Sequence, residues 1–349
     1  MRRYNFLAIA AAIILLLVSA EFATALEPIP VKSGFSGFIR PGVGYLNYKS
    51  NMVASFLGFD LSDKKTDSLN DSPDSESTGI VLVPFALRYT FASTRTQVFI
   101  GTDLRDLVRF DLSQQVGVKQ EIGRFGMLQG GLLFSGIPAQ VWKDPYLENQ
   151  NRKETDRDSN GARLVWDRIF NSNFQLQYTY RKIDINSEES GESLVLSSFL
   201  TSDQQDLLDR NGDRHIAEAF YRFNFAKKHR LMPQVIYARD DLDGDAMAND
   251  TFDFQLTYAY FGDPFVLTVN GLIGTADYDK KNPIYDKTRD DDRWGVQGTL
   301  YYKNPWDWSL LGSAPMSFYL GAAYLETDAN IDFYDQEATM VIGGLFFKW

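Results

Sequence analysis

Apolar and polar residues alternate with a period of two along most of this chain. Val81, Val83, Phe85, Leu87, Tyr89 and Phe91 share one face, with Arg88 on the other. Val108, Phe110, Leu112, Val116 and Val118 oppose Arg109, Asp111, Ser113, Gln115 and Lys119. Phe174, Leu176, Tyr178 and Tyr180 oppose Gln175, Gln177, Thr179 and Arg181. Phe252, Phe254, Leu256, Tyr258 and Tyr260 oppose Asp253, Gln255 and Thr257, and Trp294, Val296, Leu300 and Tyr302 oppose Gln297 and Thr299. Successive side chains of a strand point to opposite faces, so this pattern predicts strands held between two different surroundings. It gives about fourteen strands of roughly nine to thirteen residues, with twelve as the alternative count.

The connections alternate too. Short turns fall near residues 92–95, 123–126, 171–173, 226–229 and 262–264, and long polar loops near 49–78, 144–160, 186–213, 240–250 and 279–292. A soluble sandwich can show alternating strands, but tight turns at one end and long loops at the other are the mark of a transmembrane β-barrel. The predicted fold is therefore all-β: an antiparallel up-and-down barrel with short periplasmic turns and long acidic extracellular loops. The first strand, over residues 34–48, rises into a long loop, and the last descends to Trp349. Two places fit poorly: the connection near 105–107 is short for an outer loop, and 303–315 is long for a turn.

Stepping back by two from Trp349 gives Phe347, Leu345, Gly343 and Val341, a face that stays apolar to the last residue. Aromatic rings are stable at a membrane–water interface, whereas a soluble strand gains little from such an ending. The form Gly-x-x-hydrophobic-x-aromatic, on Gly344, Phe347 and Trp349, resembles the C-terminal assembly signal of bacterial outer-membrane barrels. That resemblance implies the barrel-assembly machinery as a partner, with outer-membrane lipid and lipopolysaccharide around the wall. At the other end, Arg2 and Arg3 precede an apolar run from Phe6 to Ala20 and then Ala23-Thr24-Ala25. Charged start, apolar middle and small–x–small exit predict a signal peptide over 1–25, leaving 26–349 as a single domain.

Composition narrows the picture. With no cysteine, disulfides and thiolate metal sites are excluded. No stretch beyond the signal run approaches the roughly 20 apolar residues of a membrane helix, so any contact with lipid needs a closed barrel whose backbone bonds are all satisfied. A mean hydropathy of −0.27 is compatible with that, because alternate residues face water. The net charge of −11 concentrates between the apolar segments and argues against a nucleic-acid partner. Over the whole mature chain the pattern resembles outer-membrane β-barrels. The opening Ser33-Gly34-Phe35-Ser36-Gly37-Phe38 and the closing Gly343-Gly344-Leu345-Phe346-Phe347-Lys348-Trp349 resemble, more narrowly, a Gram-negative envelope family known only as a domain of unknown function. That resemblance implies no functional residues.

The chain carries few candidates for chemistry. His229 sits in the basic turn Lys227-Lys228-His229-Arg230. His215 stands near Asp213, after Ser197, Ser198 and Ser202, so an outer-membrane hydrolase is conceivable, but no nucleophile motif supports one and no catalytic residue is assigned. Asp209, Asn211 and Asp213, and Asp241, Asp243 and Asp245, alternate oxygen ligands around a glycine as weak calcium candidates. Neither completes a binding loop. No cofactor is implied. Arg88, Arg109, Asp111, Lys119, Arg163, Asp167, Arg181, Glu218 and Arg222 oppose apolar faces and are expected to line the lumen. Residues 186–213 contain Leu196, Phe199, Leu200 and Leu207, apolar bulk that suits either a constriction in the barrel mouth or an outer cap on neighbouring loops. The function expected is a passive channel for small solutes, with a non-conducting scaffold displaying surface loops as the rival. Nothing in the sequence names the solute.

Overall fold

The alternation builds a closed wall. The computed structural model describes residues 28–56, 58–102, 113–136, 138–304, 309–310 and 314–349. The segment 1–25, the connection near 105–107, and the lumen candidates Arg109 and Asp111 lie outside the described residues. Among the described residues, fourteen antiparallel strands pair in chain order around the barrel. The first is built from Gly34–Ile39 and Gly42–Lys49, and the second from Ser75–Leu82 and Phe85–Phe91. Thr96–Thr102, Ser113–Glu121, Met127–Ser135, Glu154–Asp167 and Phe174–Ile185 follow. The eighth joins Gly212–Tyr221 to Phe223–Phe225, and then come His229–Leu242, Asn249–Phe261, Phe265–Asn282, Lys287–Lys303, Ala314–Ala329 and Gln336–Lys348. The last strand closes on the first, with Tyr45 opposite Val341 and Phe38 opposite Lys348.

Burial runs opposite to that of a soluble protein. On one strand Phe252, Phe254 and Leu256 are 57%, 39% and 40% exposed, while Asp253, Gln255 and Thr257 between them are 3%, 8% and 1% exposed. The outward face also exposes Val81, Val83, Val116, Val118, Leu132, Leu164, Ile273 and Leu320 around the circumference. Aromatic rings cluster toward both ends of this belt. Tyr178 and Tyr180 lie against His215 at the loop end, and Phe225, Tyr258 and Tyr260 against His229 at the turn end.

Three features depart from the sequence expectation. Strands run into segments read as loop: Phe265–Asn282 and Lys287–Lys303 leave only 283–286 between them, because backbone pairing continues past the apolar belt. The interior is not uniformly polar. Phe38, Leu46, Tyr48, Ile80, Leu82, Tyr301, Tyr319 and Ile342 form an apolar stripe down the inside of the first two and last three strands. The loop that bends onto this inner face is 50–74. Its hairpin, Val53–Phe56 with Phe59–Asp60, pairs with Ala139–Trp142, and Val53, Phe59 and Leu61 pack on the stripe. At the turn end, the facing glycines Gly42 and Gly344 make room for the Tyr319 ring. A Cβ on Gly42 would stand 1.9 Å from the Tyr319 hydroxyl, and one on Gly344 would stand 2.9 Å from its ring.

Candidate functional site: the lumen and its cap

The twelfth strand, Lys287–Lys303, is the clearest guide to the interior. Its inward positions, from loop end to turn end, read Arg289, Asp291, Arg293, Gly295, Gln297, Thr299 and Tyr301. The upper three belong to a ladder of ion pairs. Arg289 Nε and Nη2 donate to the two Asp291 carboxylate oxygens at 2.7 Å each, and Arg293 Nη1 donates to Asp253 at 3.0 and 3.1 Å. Arg214 Nε lies 2.9 Å from Asp240 Oδ1. These six side chains surround a chamber of about 370 Å³, whose opposite side is the apolar stripe and the inward hairpin. Each charge has its counter-charge within the wall, as buried ions require.

Elsewhere on the inner face, polar side chains pair with one another. Lys119 Nζ pairs with Asp167 Oδ2 at 2.9 Å, Arg163 Nε donates to Thr179 Oγ1 at 2.8 Å, and Arg181 Nη2 donates to Ser113 Oγ at 2.7 Å. Gln234 Nε2 donates to Glu218 Oε2 at 2.8 Å. At the turn end Arg40 Nη1 donates to the Tyr301 hydroxyl at 3.1 Å and lies 5.1 Å over the Tyr319 ring.

The loop end is covered. Leu69, Tyr146, Leu200, Leu208, Met247, Ile331, Phe333 and Tyr334 form one buried cluster, joined by Leu194, Leu242, Ile284 and Tyr285. Six outer connections contribute to it. The Tyr146 and Tyr334 hydroxyls lie 2.7 Å apart, Asn282 Nδ2 donates to Tyr334 at 2.6 Å, and Tyr285 donates to the Leu69 carbonyl at 2.8 Å. Burial holds the Tyr146 phenol well above its usual pKa, so this network is neutral at any physiological pH.

Two arginines bolt the loops together. Arg210 Nε donates to Glu188 at 2.9 Å, and its Nη2 donates to the Trp142 and Lys143 carbonyls at 2.7 and 3.1 Å. Burial pushes the Glu188 carboxyl above the usual glutamate value in spite of that neighbour. Arg152 Nη1 donates to the Asn51 carbonyl at 3.0 Å and its guanidinium stacks 4.5 Å from the Trp142 ring; burial lowers its pKa to about 10. Asp144 accepts the backbone N–H groups of Gly191 and Ser193 at 3.0 and 2.9 Å, fixing the start of the short helix Glu192–Leu196.

Of the lumen candidates, Arg88, Lys119, Arg163, Asp167, Arg181 and Glu218 occupy inward positions, and Arg222 lies at the break between Gly212–Tyr221 and Phe223–Phe225. The ladder residues Arg214, Asp240, Asp253, Arg289, Asp291 and Arg293 were missed. Their signal was present for Asp253, which alternates with Phe252 and Phe254. The loop 186–211 docks on its neighbours as part of the cap, with Leu200 buried and Leu207 half-buried. Leu196 and Phe199 instead face outward, 80% and 60% exposed.

The calcium candidates do not assemble. Among the described residues no three carboxylate or imidazole groups converge. Asp209 accepts the Asn211 N–H, Asn211 Oδ1 accepts the Ile185 N–H, Asp213 accepts the Tyr180 hydroxyl, and Asp241 faces Arg239. Asp243 and Asp245 stand exposed on the same turn. The oxygens thus organise the loop itself. His215 lies on the outward face with Nδ1 2.7 Å from the Tyr178 hydroxyl, and the Ser197 hydroxyl donates to the Leu194 carbonyl. In the terminal motif Phe347 is buried against Ile39, Met316, Phe318 and Leu345, Gly344 faces Gly42, and Trp349 exchanges two backbone hydrogen bonds with Gly37.

A family model described as a protein of unknown function, DUF2860, matches residues 34–348. No curated protein matches the chain. Among solved structures, a loop-deletion mutant of OmpT, an outer membrane protein of Vibrio cholerae, aligns at 11% identity over 90% of this chain and 99% of its own, with a TM-score of 0.40. The outer membrane channel DcaP of Acinetobacter baumannii aligns at 8% identity over 91% and 97%, with a TM-score of 0.39. Neither score reaches 0.5, so function has to be read from this chain's own wall and loops.

Proposed function

The chain belongs to this family of proteins of unknown function, and we propose that it is an outer-membrane barrel forming a gated passage for small polar solutes. A wall with apolar residues outward and polar residues inward belongs in a bilayer, with the loop end outside the cell and the turn end in the periplasm. The observation that carries the passage is the continuous polar staircase on the twelfth strand, from Arg289 through Gln297 to Thr299, opening at its top into the chamber. A barrel serving only as a stiff wall has no need to keep an ion-paired chamber beneath its loops, since buried ion pairs are poor stabilisers. The cap makes this the closed state. Solute would move down its gradient when the loops part.

Single-channel recording of the purified full-length protein in a planar bilayer tests this. Rare, brief openings are expected, becoming frequent when the cap is weakened. A barrel that stays silent at every voltage with its cap weakened refutes the passage. A display scaffold would then be the better reading, and it has one observation in its favour. Leu196 and Phe199 present apolar surface at the outer tip, where solvent alone offers them nothing.

A further inference from the structure

Below the chamber, five side-chain oxygens stand together without hydrogen-bond partners. They are the Thr257, Thr268 and Thr299 hydroxyls and the Asn270 and Gln297 amide oxygens. All five residues face inward and none is more than 4% exposed. The register makes them neighbours. Thr257 lies opposite Asn270 and Asn270 opposite Gln297, forming one row across the tenth, eleventh and twelfth strands. Thr268 lies opposite Thr299 in the next row toward the periplasm. Directly opposed side chains in a sheet are within about 5.5 Å of each other at Cβ, so the two rows make one small patch. Small residues flank it: Ala323 opposite Gln297 and Gly321 opposite Thr299. Of the five residues Gln297 lines the chamber, and the other four lie packed beneath it.

Buried polar atoms in native proteins are almost always paired, and a group of five left over together points to a guest that brings donors. The chemistry of the set narrows the guest. Neutral oxygens offer no counter-charge to a metal dication, and an anion would find hydroxyl donors but also two amide oxygens that repel it. The charges of Asp253 and Arg293, two rows higher, already satisfy each other. A neutral molecule with several hydroxyl groups supplies donors to the amide oxygens and can both give to and take from the threonines. We propose that this patch is a binding site for neutral, hydroxyl-rich solutes, which enter it from the chamber past Gln297 as the side chains packed over it give way. This deepens the passage proposed above, and rests on it, by naming polyols as the class the lumen accepts.

The test is osmotic swelling of vesicles carrying the full-length protein, both native and in a cap-weakened Phe333→Ala background. Glycerol and ribose serve as donor-rich probes, and glycine betaine as a small neutral zwitterion that carries no O–H or N–H donor. The polyols should enter faster than betaine. Replacing Thr257 and Thr299 by valine keeps volume and removes two of the hydroxyls. It should cut polyol entry by about tenfold, as expected for loss of roughly 1.4 kcal/mol of interaction, while betaine entry stays unchanged. The single variant Thr257→Val serves if the double variant assembles poorly. An unchanged polyol-to-betaine ratio in assembled variants overturns the site. Entry of no solute through the cap-weakened barrel overturns the passage itself, and the site with it.

Discussion

Phe333 is the residue on which the proposed closed state turns. Its side chain is fully buried at the centre of the cap, with ring centroids 5.3 Å from both Tyr146 and Tyr334 and 6.3 Å from Tyr285. Phe333→Ala removes a ring that touches two other connections, through Tyr146 and Tyr285, and leaves a cavity that the loops can only partly fill. Phe-to-Ala changes in well-packed sites cost about 3–5 kcal/mol. Here the loss falls on loop docking and leaves the wall intact, because the fourteen strands keep all their ladder pairs. Loop opening is a local equilibrium, so a shift of that size raises the open fraction roughly a hundred- to several-thousand-fold. Two measurements follow it in the same preparation: proteolysis of the loops on the assembled barrel, and single-channel open probability. Both should rise together, while gel migration of the unheated protein shows an assembled barrel. If the loops remain as protease-resistant as in the parent and open probability does not change, Phe333 does not hold a gate and the cap is not what closes the lumen.

Other consequences can be measured separately. Leu256→Arg, outward in the apolar belt, should cost about 2–4 kcal/mol in a folding titration from vesicles. Gln255→Ala, inward and bonded to Gln234, should cost only about 1 kcal/mol; equal losses would mean the faces are misassigned. Because burial raises the Glu188 pKa, the docked loop binds the proton more tightly than the open one. Cap protection should thus be greatest below the ordinary glutamate pKa of 4.5 and fall as pH rises through the raised value. Amide exchange at Ser190 and Gly191 reads this, and Glu188→Gln should flatten the dependence. Trp349→Asp should permit export but block assembly, seen as loss of heat-modifiable migration; a variant that still assembles would show the terminal ring is dispensable.

The strands and their faces were legible because the outside and inside of the wall demand opposite residues, and Phe252 through Leu256 record that contrast without ambiguity. The apolar stripe was not. Around Val43, Tyr45, Leu46 and Tyr48 both faces are apolar, so alternation cannot tell the wall's inside from its outside. The destination of 50–74 was equally hidden, since Val53, Phe59 and Leu61 follow no period and their partners are set by strands far along the chain. The cap was half legible. The apolar bulk of 186–213 suited a constriction and an outer cap equally, and the aromatic centre at Phe333 and Tyr334 belongs to a connection too short to carry a period of its own. Runs of aspartate read as loop because charge resembles solvent exposure, whereas backbone pairing continues into water wherever a neighbouring strand is long enough.

The inward hairpin also constrains the order in which this barrel can be made. The surface it covers comes from both sides of the closing seam: Leu46, Tyr48, Ile80 and Leu82 from the first two strands, and Ala338 and Ile342 from the last. The first half of that surface and the hairpin are made together, within the opening eighty or so residues, and the rest arrives only at the end of the chain. A growing sheet that already holds its first loop on the concave side presents the final strand with an apolar ledge to land on. A sheet that has lost the loop to the mouth offers the same strand a bare edge. The hairpin is then an internal template for closure, and a chain that keeps every wall residue but loses Val53, Phe59 and Leu61 should stall with its seam unzipped, an open sheet exposing the edges that Gly37 and Trp349 normally join.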